Sequence, residues 1–458
     1  MSRHQRVVRT AAATRRDRAV TVLAVVLLTA MGGAALLVGP QAEADQAHRG
    51  DGTSVDGTPD DAGALTDGPN FGVGASATRF RGLAFDTCSA PSRKTMAAWR
   101  TSPYQAVGVY INGRNRACTQ PELTASWVTD VTAMGWKLLP INMGSQAPCR
   151  DNKKKNPMKV RTAAATGTAE AAAAVLAAKN LGLLPGSPIY ADVEPYNADR
   201  ARCVRAVAVY LSAWTRELHR LGYLSGMYGT LGSGMTDAAD RYASTAYART
   251  DAVWFARWDH SPSLTNWENV PDDRWARSQR VKQYRGDHRE THGGVRLLID
   301  SNSVDAPVAT VAHTYPVTSG ATLNFRRSPR TTSESVGSAE PGANVAVVCQ
   351  ATGTEVEGSP IWNKLVDGSY VSDAYVADGA RKPVPACSYP VQVLTADGAD
   401  ARYSPATIGS TAGTLSLGSL AWVTCRPPQT AWVRLDNETY LPRTALARWN
   451  ATLPDCTA

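Results

Sequence analysis

No two cysteines in the 458-residue sequence form a CxxC pair, and none joins a histidine at zinc-ligand spacing, so a zinc site of the common kinds is excluded. A Walker loop, a dinucleotide-binding glycine fingerprint and a nucleophile elbow are also missing. The fragments Gly226-Met227-Tyr228 and "LGSGM" (231–235) are too short to cradle a phosphate. No motif calls for a cofactor. Charge is thin as well, with Asp, Glu, Lys and Arg at 19% of residues and a formal net charge of +8. Setting aside residues 1–44 removes six arginines and two acids and brings that charge to +4, so no nucleic-acid partner is needed to explain it.

What is present begins with Arg3, Arg6, Arg9, Arg15, Arg16 and Arg18, followed by an uncharged run from Ala19 to Pro40. That pattern is an export signal or a membrane anchor, and Ala42-Glu43-Ala44 supplies a small-x-small cleavage site. Arg15-Arg16 also permits twin-arginine export. Membrane contact is expected only through an uncleaved form of this segment. Residues 45–78, rich in Gly, Asp and Thr, have too little apolar surface to offset their ordering entropy and read as a spacer. Eight cysteines in an exported chain read as disulfides. Four (Cys88, Cys118, Cys149, Cys203) precede the tail and four lie in it, where spacing suggests Cys349 with Cys387 and Cys425 with Cys456.

Length predicts two to four units. From residue 79 short apolar runs recur at 82–86, 106–112, 137–143, 188–194, 224–229, 252–258, 281–284 and 296–300, with helix-like segments after the first four. Strand-helix alternation of eight units predicts an α/β fold, a (β/α)8 TIM barrel over 79–312 with a parallel sheet. "RGDHRETHGG" is too short and Gly-rich for a crossover helix, so the barrel is expected to be irregular. Beyond it the texture changes to short β runs with turns, twice over, predicting two small all-β barrels at 313–387 and 388–458.

Active sites of such barrels gather at the carboxyl ends of the strands. Those positions hold Asp86, Asn112, Asn142, Asp192 with Glu194, Tyr228, Trp254 with Arg257 and Trp258, Gln283 with Tyr284, and Asp300 with Asn302. In "GSPIYADVEPY" (186–196) Asp192 and Glu194 stand two apart, so on a strand both face one side, about 6.6 Å from one another. Glycoside hydrolysis requires a proton donor and a second carboxylate roughly 5 to 9.5 Å away, and the spacing permits retention or inversion. An acid at a strand end equally serves to cap a helix or pair an arginine. Clustering shifts the balance, because neighbouring carboxylates repel and raise one another's pKa. The aromatics at these ends suit the faces of sugars, and each alone also reads as core.

The blocks "GLAFDTCSAPS", "AVGVYINGRNRACTQPELTASWV", "GWKLLPINMGSQAPC", "GSPIYADVEPY", "GYLSGMYG", "VWFARWD" and "LLIDSNSVD", in this order, closely resemble the glycoside-hydrolase-like family catalogued as domain of unknown function 1906. That family is similar in fold to the Chalaropsis-type (family 25) lysozymes. The resemblance implies catalytic positions at Asp86, Asp192, Glu194 and Asp300, with Glu194 as proton donor and Asp192 as base, nucleophile or orienter of an N-acetyl group. The segment at Cys88 and Pro195 depart from the lysozyme pattern. In the tail, "LNFRRSPRTTSESVG" and the spaced set Trp362, Lys364, Gly368, Tyr370, Val371, Asp373, Tyr375 and Val376 resemble bacterial SH3-like domains. A weaker second copy keeps "RYSPATIGSTAGTL" and Trp432.

The expectation is an exported, monomeric hydrolase of peptidoglycan or another envelope polysaccharide, whose SH3-like tail holds polymer nearby or merely packages the enzyme. Asn112, Tyr228, Trp254, Trp258, Gln283 and Asn302 are its candidate substrate-binding residues, and no metal is expected. A competing reading is a non-catalytic envelope protein that binds glycan. Metal-dependent deacetylation would need histidines near the acids, and only His288 and His292, on the loop after strand seven, could fold over them. The basic loop "NKKKNPMK" (152–159) reads as a solvated face or a contact for anionic wall polymers.

Overall fold

The structure, a computed structural model, describes residues 76–150, 156–376, 384–448 and 453–456. The export or anchor segment, the spacer up to residue 75 and most of the basic loop lie outside the described residues. The described chain is a mixed α/β fold, an eight-stranded closed barrel followed by two β-sheets. The barrel strands are β1 (Thr78–Asp86), β2 (Tyr104–Asn112), β3 (Lys137–Asn142), β4 (Pro188–Asp192), β5 (Leu224–Thr230), β6 (Ala252–Ala256), β7 (Arg280–His292) and β8 (Val295–Val308).

Helices α1 (Arg93–Ala98), α2 (Ala125–Ala133), α3 (Ala163–Asn180) and α4 (Ala201–Arg220) cross between the first five strands, and α5 (Thr236–Asp240) follows β5. Local chemistry starts and stops them. Ser92 and Thr124 cap α1 and α2 by accepting the N–H of Thr95 and Trp127. Along α4, Val204, Val207, Leu211, Trp214 and Leu218 are buried at helical spacing.

The strands β1 to β7 pair in parallel, but β8 runs antiparallel to both β7 and β1. An all-parallel barrel was the expectation, and the correction has a local cause. Only Gly293 and Gly294 separate β7 from β8, and both adopt positive φ (53° and 76°), the backbone of a tight hairpin turn. A parallel return would need a dozen residues or more. The hairpin also moves Asp300 away from a strand end. It is the sixth residue of β8, and the antiparallel register sets it directly opposite Asp86.

Alternate residues of the strands face inward, as the period of two demands. Ala84, Leu139, Ile141, Tyr190, Trp254, Val281 and Val304 fill the interior as a cluster separate from the larger one under the helices. Gly108 is required here, since a Cβ on it would lie 2.7 Å from the Asp86 Cβ and 3.0 Å from the Trp254 ring.

The first tail sheet comprises β9 (His313–Pro316), β10 (Leu323–Arg326), β11 (Ser335–Ala339), β12 (Asn344–Val356), β13 (Ser359–Leu365) and β14 (Tyr370–Ser372). The second comprises β15 (Tyr389–Gln392), β16 (Ala399–Arg402), β17 (Thr411–Leu415), β18 (Leu420–Cys425), β19 (Trp432–Leu435) and β20 (Tyr440–Pro442). Their strand orders, β11-β10-β14-β13-β12-β9 and β17-β16-β20-β19-β18-β15, are the same topology. Disulfides Cys349–Cys387 and Cys425–Cys456 close the two sheets' ends, and Cys88–Cys118 and Cys149–Cys203 lie in the barrel.

Both sheets dock on the base of the barrel, the amino-terminal ends of its parallel strands. Ala77 and Leu224 belong to the second sheet's apolar core. Gln392 Nε2 donates to Asp251 Oδ1 (3.2 Å), the N–H of Leu420 donates to Gln279 Oε1 (3.1 Å), and Trp422 Nε1 donates to the Arg277 carbonyl (2.7 Å). The Arg79 guanidinium lies 4.7 Å over the Trp422 ring. The first sheet brings its Cys349–Cys387 bridge against Leu184, and its buried Lys364 bonds the Tyr389 hydroxyl of the second.

Because Trp422 is fully buried at this junction, Trp422→Ala is expected to cost about 3–5 kcal/mol and to lower the unfolding of barrel and second sheet together. Calorimetry checks this, and separate barrel and sheet transitions in the wild type would contradict it.

Candidate functional site

The four acids converge at the opposite end. Asp86 closes β1 and Asp192 closes β4, both nearly buried (4% and 5% exposed). Glu194 lies two residues beyond its strand, half-buried, and Asp300 arrives from β8. Asp86, Glu194 and Asp300 line a cleft of about 430 Å³ together with Tyr110, Met143 and Leu298. Tyr228, in register with Asp192, registers how tightly the acids gather. Burial raises its phenol first, and the charges of Asp192, Asp86, Glu194 and Asp300 all raise it further. Tyr110 is raised by burial and then by Asp192, Asp86, Tyr228 and Glu194.

Two side-chain amides hold the Asp86–Asp300 pair, and each is oriented by an indole. Asn302 is fully buried; its Oδ1 accepts from Trp254 Nε1 (2.8 Å), and its Nδ2 donates to Asp86 Oδ2 (2.8 Å). Gln283, 3% exposed, accepts at Oε1 from Trp258 Nε1 (3.0 Å) and from the Tyr228 hydroxyl (3.2 Å). Its Nε2 donates to Asp86 Oδ2 (3.1 Å) and to Asp300 Oδ2 (3.2 Å). An indole N–H only donates, so the amide oxygens must face the tryptophans and the amide N–H groups must face the acids.

These placements correct the reading of several candidates as groups that touch a ligand. Trp254 is buried in the barrel interior and presents no face to the cleft. Asn302 and Gln283 are buried behind the acids they bind. Trp258 remains half exposed (54%) at the rim, its ring packed on Gly286. Asn112 is half-buried and donates from Nδ2 to Asn142 Oδ1 (3.0 Å). His288 and His292 both turn to Glu290 (3.0 and 2.8 Å). Among the described residues no three His, Cys, Asp or Glu side chains are placed to hold a metal ion.

The strand-four pair has its own brace. Gln146 Nε2 donates to the Asp192 carbonyl (2.8 Å), and Gln146 Oε1 accepts the N–H of Glu194 (3.0 Å). Arg150 donates to Gln146 Oε1 (3.3 Å) and to Glu194 Oε2 (3.0 Å). Neither residue was a sequence candidate, although both follow the third strand in the block "GSQAPCR". The Cys149–Cys203 disulfide ties this loop to the start of α4, and Cys88–Cys118 ties the loops after β1 and β2, which carry Cys88, Arg116 and Ala117 into the cleft wall.

Burial first, and the charge of Asp300 second, push the Asp86 carboxyl up to about 7, while the N–H groups of Asn302 and Gln283 hold it down. Burial also raises Asp300, against the N–H of Asp287 that bonds its Oδ1 (2.6 Å).

Residues 97–304 match the family described as Rv2525c-like, glycoside hydrolase-like domain. Over 96 residues the chain is 34% identical to the uncharacterized protein YraI of Bacillus subtilis (strain 168), covering 18% of this chain and 80% of that protein, and over that stretch the two belong to one family. Among solved structures it is similar to the Tat-secreted protein Rv2525c of Mycobacterium tuberculosis in complex with L-tartrate, at 15% identity over 49% of this chain and 96% of that one, with a TM-score of 0.36. It is similar also to a family 25 glycosyl hydrolase from Bacillus anthracis, at 16% identity over 52% and 94% of the chains, with a TM-score of 0.31.

Because folding raises the Asp86 carboxyl from 3.8 to about 7, the protonated acid favours the fold and that contribution is lost as pH rises through about 7. Asp86→Asn removes the titration. Its stability relative to wild type is expected to rise from about pH 4 to pH 7, by up to about 4 kcal/mol over roughly three units, and to level off above pH 7. Thermal unfolding across that range reads the effect, and a pH-independent difference would count against it.

Proposed function

From a chain that carries a Rv2525c-like, glycoside hydrolase-like domain, we propose an exported hydrolase of cell-wall or related amino-sugar glycan that cleaves an O-glycosyl bond by acid/base chemistry. In this reading residues 79–312 form an irregular TIM barrel of the family 25 lysozyme kind. Residues 313–387 and 388–458 are SH3-like modules, and residues 1–44 direct export. The observation that carries the reading is the convergence of four acids on one end of the barrel, with Asp86, Glu194 and Asp300 lining a cleft of about 430 Å³ and Asp192 buried in register with Tyr228 behind it.

Glu194, at the rim and braced by Gln146, is the proton donor to the leaving oxygen. Asp192, buried beside it, serves as base, as nucleophile or as the group that orients an N-acetyl oxygen attacking from the substrate. The Asp86–Asp300 pair lies beneath the bond to be broken. Four disulfides fit a chain that matures in an oxidising compartment. The tail's position on the barrel base supports a packaging role for the SH3-like modules over that of a free tether.

One observation favours a second reading. Arg150 bonds Glu194 directly, at 3.0 Å, and a guanidinium kept there would leave a glycan-binding protein without turnover. In the hydrolytic reading, entering glycan displaces it.

The test is incubation of the mature chain and its Glu194→Gln variant with peptidoglycan and chitin oligosaccharides, following new sugar ends by mass spectrometry. The variant is expected to lose about 10²–10⁴-fold in rate while keeping its melting temperature and its glycan binding. Equal release by both proteins would remove Glu194 from the chemistry. Binding without release by either would establish the second reading.

A further inference from the structure

The amides around Asp86 and Asp300 leave the two carboxyl groups unequal. Asp300 faces N–H donors at both oxygens, the backbone N–H of Asp287 at Oδ1 (2.6 Å) and Gln283 Nε2 at Oδ2 (3.2 Å). Asp86 receives both of its donors on one oxygen, with Gln283 Nε2 (3.1 Å) and Asn302 Nδ2 (2.8 Å) meeting at Oδ2. Its Oδ1 takes no hydrogen bond from the described residues, and Asp86 is part of the cleft wall.

The donors cannot be turned round. Reversing the Gln283 amide would set its NH₂ against the indole N–H of Trp258, and reversing Asn302 would do the same against Trp254. Both hydrogens of each amide are also committed. Those of Gln283 go to the two acids, and those of Asn302 go to Asp86 Oδ2 and the Asp300 carbonyl (3.2 Å). An N–H donor aimed at a carboxyl oxygen stabilises that oxygen's charge and disfavours a proton on it. Of the four carboxyl oxygens, only Asp86 Oδ1 has no N–H donor aimed at it among the described residues, so a proton is held there at least cost.

We infer that Asp86 and Asp300 hold a single proton between them, that it resides on Asp86 Oδ1, and that Gln283 is the positioning residue that keeps it there. The mouth of the barrel therefore presents a neutral carboxylic acid, a hydrogen-bond donor, to a hydroxyl or ether oxygen of the bound sugar. The donor role rests on the glycan reading proposed above, whereas the placement of the proton stands without it.

The electrostatics agree with the geometry. Asp86 is raised by burial and by Asp300, with both amide donors opposing. The other titratable groups around the pair are Asp287 and His288 of β7, Tyr110 of β2, Tyr228 of β5, and Asp192 with Glu194 at the end of β4, and Arg116 shares the cleft wall. The cationic group that acts on Asp300 is His288 when protonated, which favours Asp300 as the charged member.

The test needs no turnover. In the full mature chain labelled with ¹³C at aspartate Cγ, one resonance is expected to titrate near neutral pH and to vanish in Asp86→Asn. It should move to lower pH in Asp300→Asn, which removes the opposing charge, and to higher pH in Gln283→Met, which removes a donor from each acid. Asp300→Asn decides the matter even if the Asp86 variant fails to fold. A titration lost at every pH in Asp300→Asn, rather than moved to lower pH, or a near-neutral transition absent from the wild type, overturns the placement.

Binding of a chitin oligosaccharide tests the donor role separately. Wild-type affinity should fall about tenfold per pH unit above the Asp86 midpoint. Asp86→Asn, whose Nδ2 would take the Oδ1 position, should bind without that pH dependence. Wild-type binding that ignores pH, together with the expected titration, would remove the donor role and leave the proton where it is inferred.

Discussion

Two carboxyl groups set opposite each other in a buried barrel wall cannot both be charged at low cost, and much of the mouth is arranged around that constraint. Asp86 and Asp300 face each other because β8 returns along β7 through two glycines, and a parallel eighth strand would have presented a different residue there. The amide, indole and phenol groups behind the pair then become necessary. Each satisfies a polar atom that the repulsion and the burial would otherwise leave unpaired. The four bonds of Gln283 join β1, β5, β8 and the rim at Trp258, so the site is supported by strands rather than by loops alone.

The two ends of the barrel are used differently. At the mouth, acids and polar brackets gather. At the base, apolar side chains join the barrel to both β-sheets, and hydrogen bonds from Gln392 and Leu420 tie it to the second. A tail docked in this way shares its core with the barrel and covers surface that β1 and β5 would otherwise expose. Its two copies have diverged in sequence while keeping one strand order, because the order depends on turns and burial rather than on particular contact residues.

Much of this was legible in the residues. The eight strands announce themselves as apolar runs, and Asp86, Asp192, Glu194 and Asp300 are brought together at one mouth. What periodicity does not carry is direction. A glycine pair after "RETH" is a hairpin signal; the sequence marks the barrel as irregular there, while strand-helix alternation still favours a parallel sheet and leaves the reversal unread. Nor does periodicity show which way a side chain's polar atoms are used. Trp254 and Trp258 stand where sugar-stacking rings would stand, yet their N–H groups serve buried amides 48 and 25 residues away. Gln146 and Arg150 went unnoticed for a related reason. They follow a strand end in an irregular loop, and only the fold sets them against Glu194.

The hairpin that closes the barrel also bears on the order in which the molecule becomes competent. The pairing of β7 with β8 is local in the chain, so it can form early. The pairing of β8 with β1 joins segments more than two hundred residues apart and must wait for everything between them. Asp192 and Glu194 lie within the earlier-made part, but Asp86 gains its partner only at that last closure. A chain truncated before Asp300 would hold three of the four acids and no partner for Asp86. Completion of the site thus coincides with completion of the fold, and a partly folded molecule has no complete mouth.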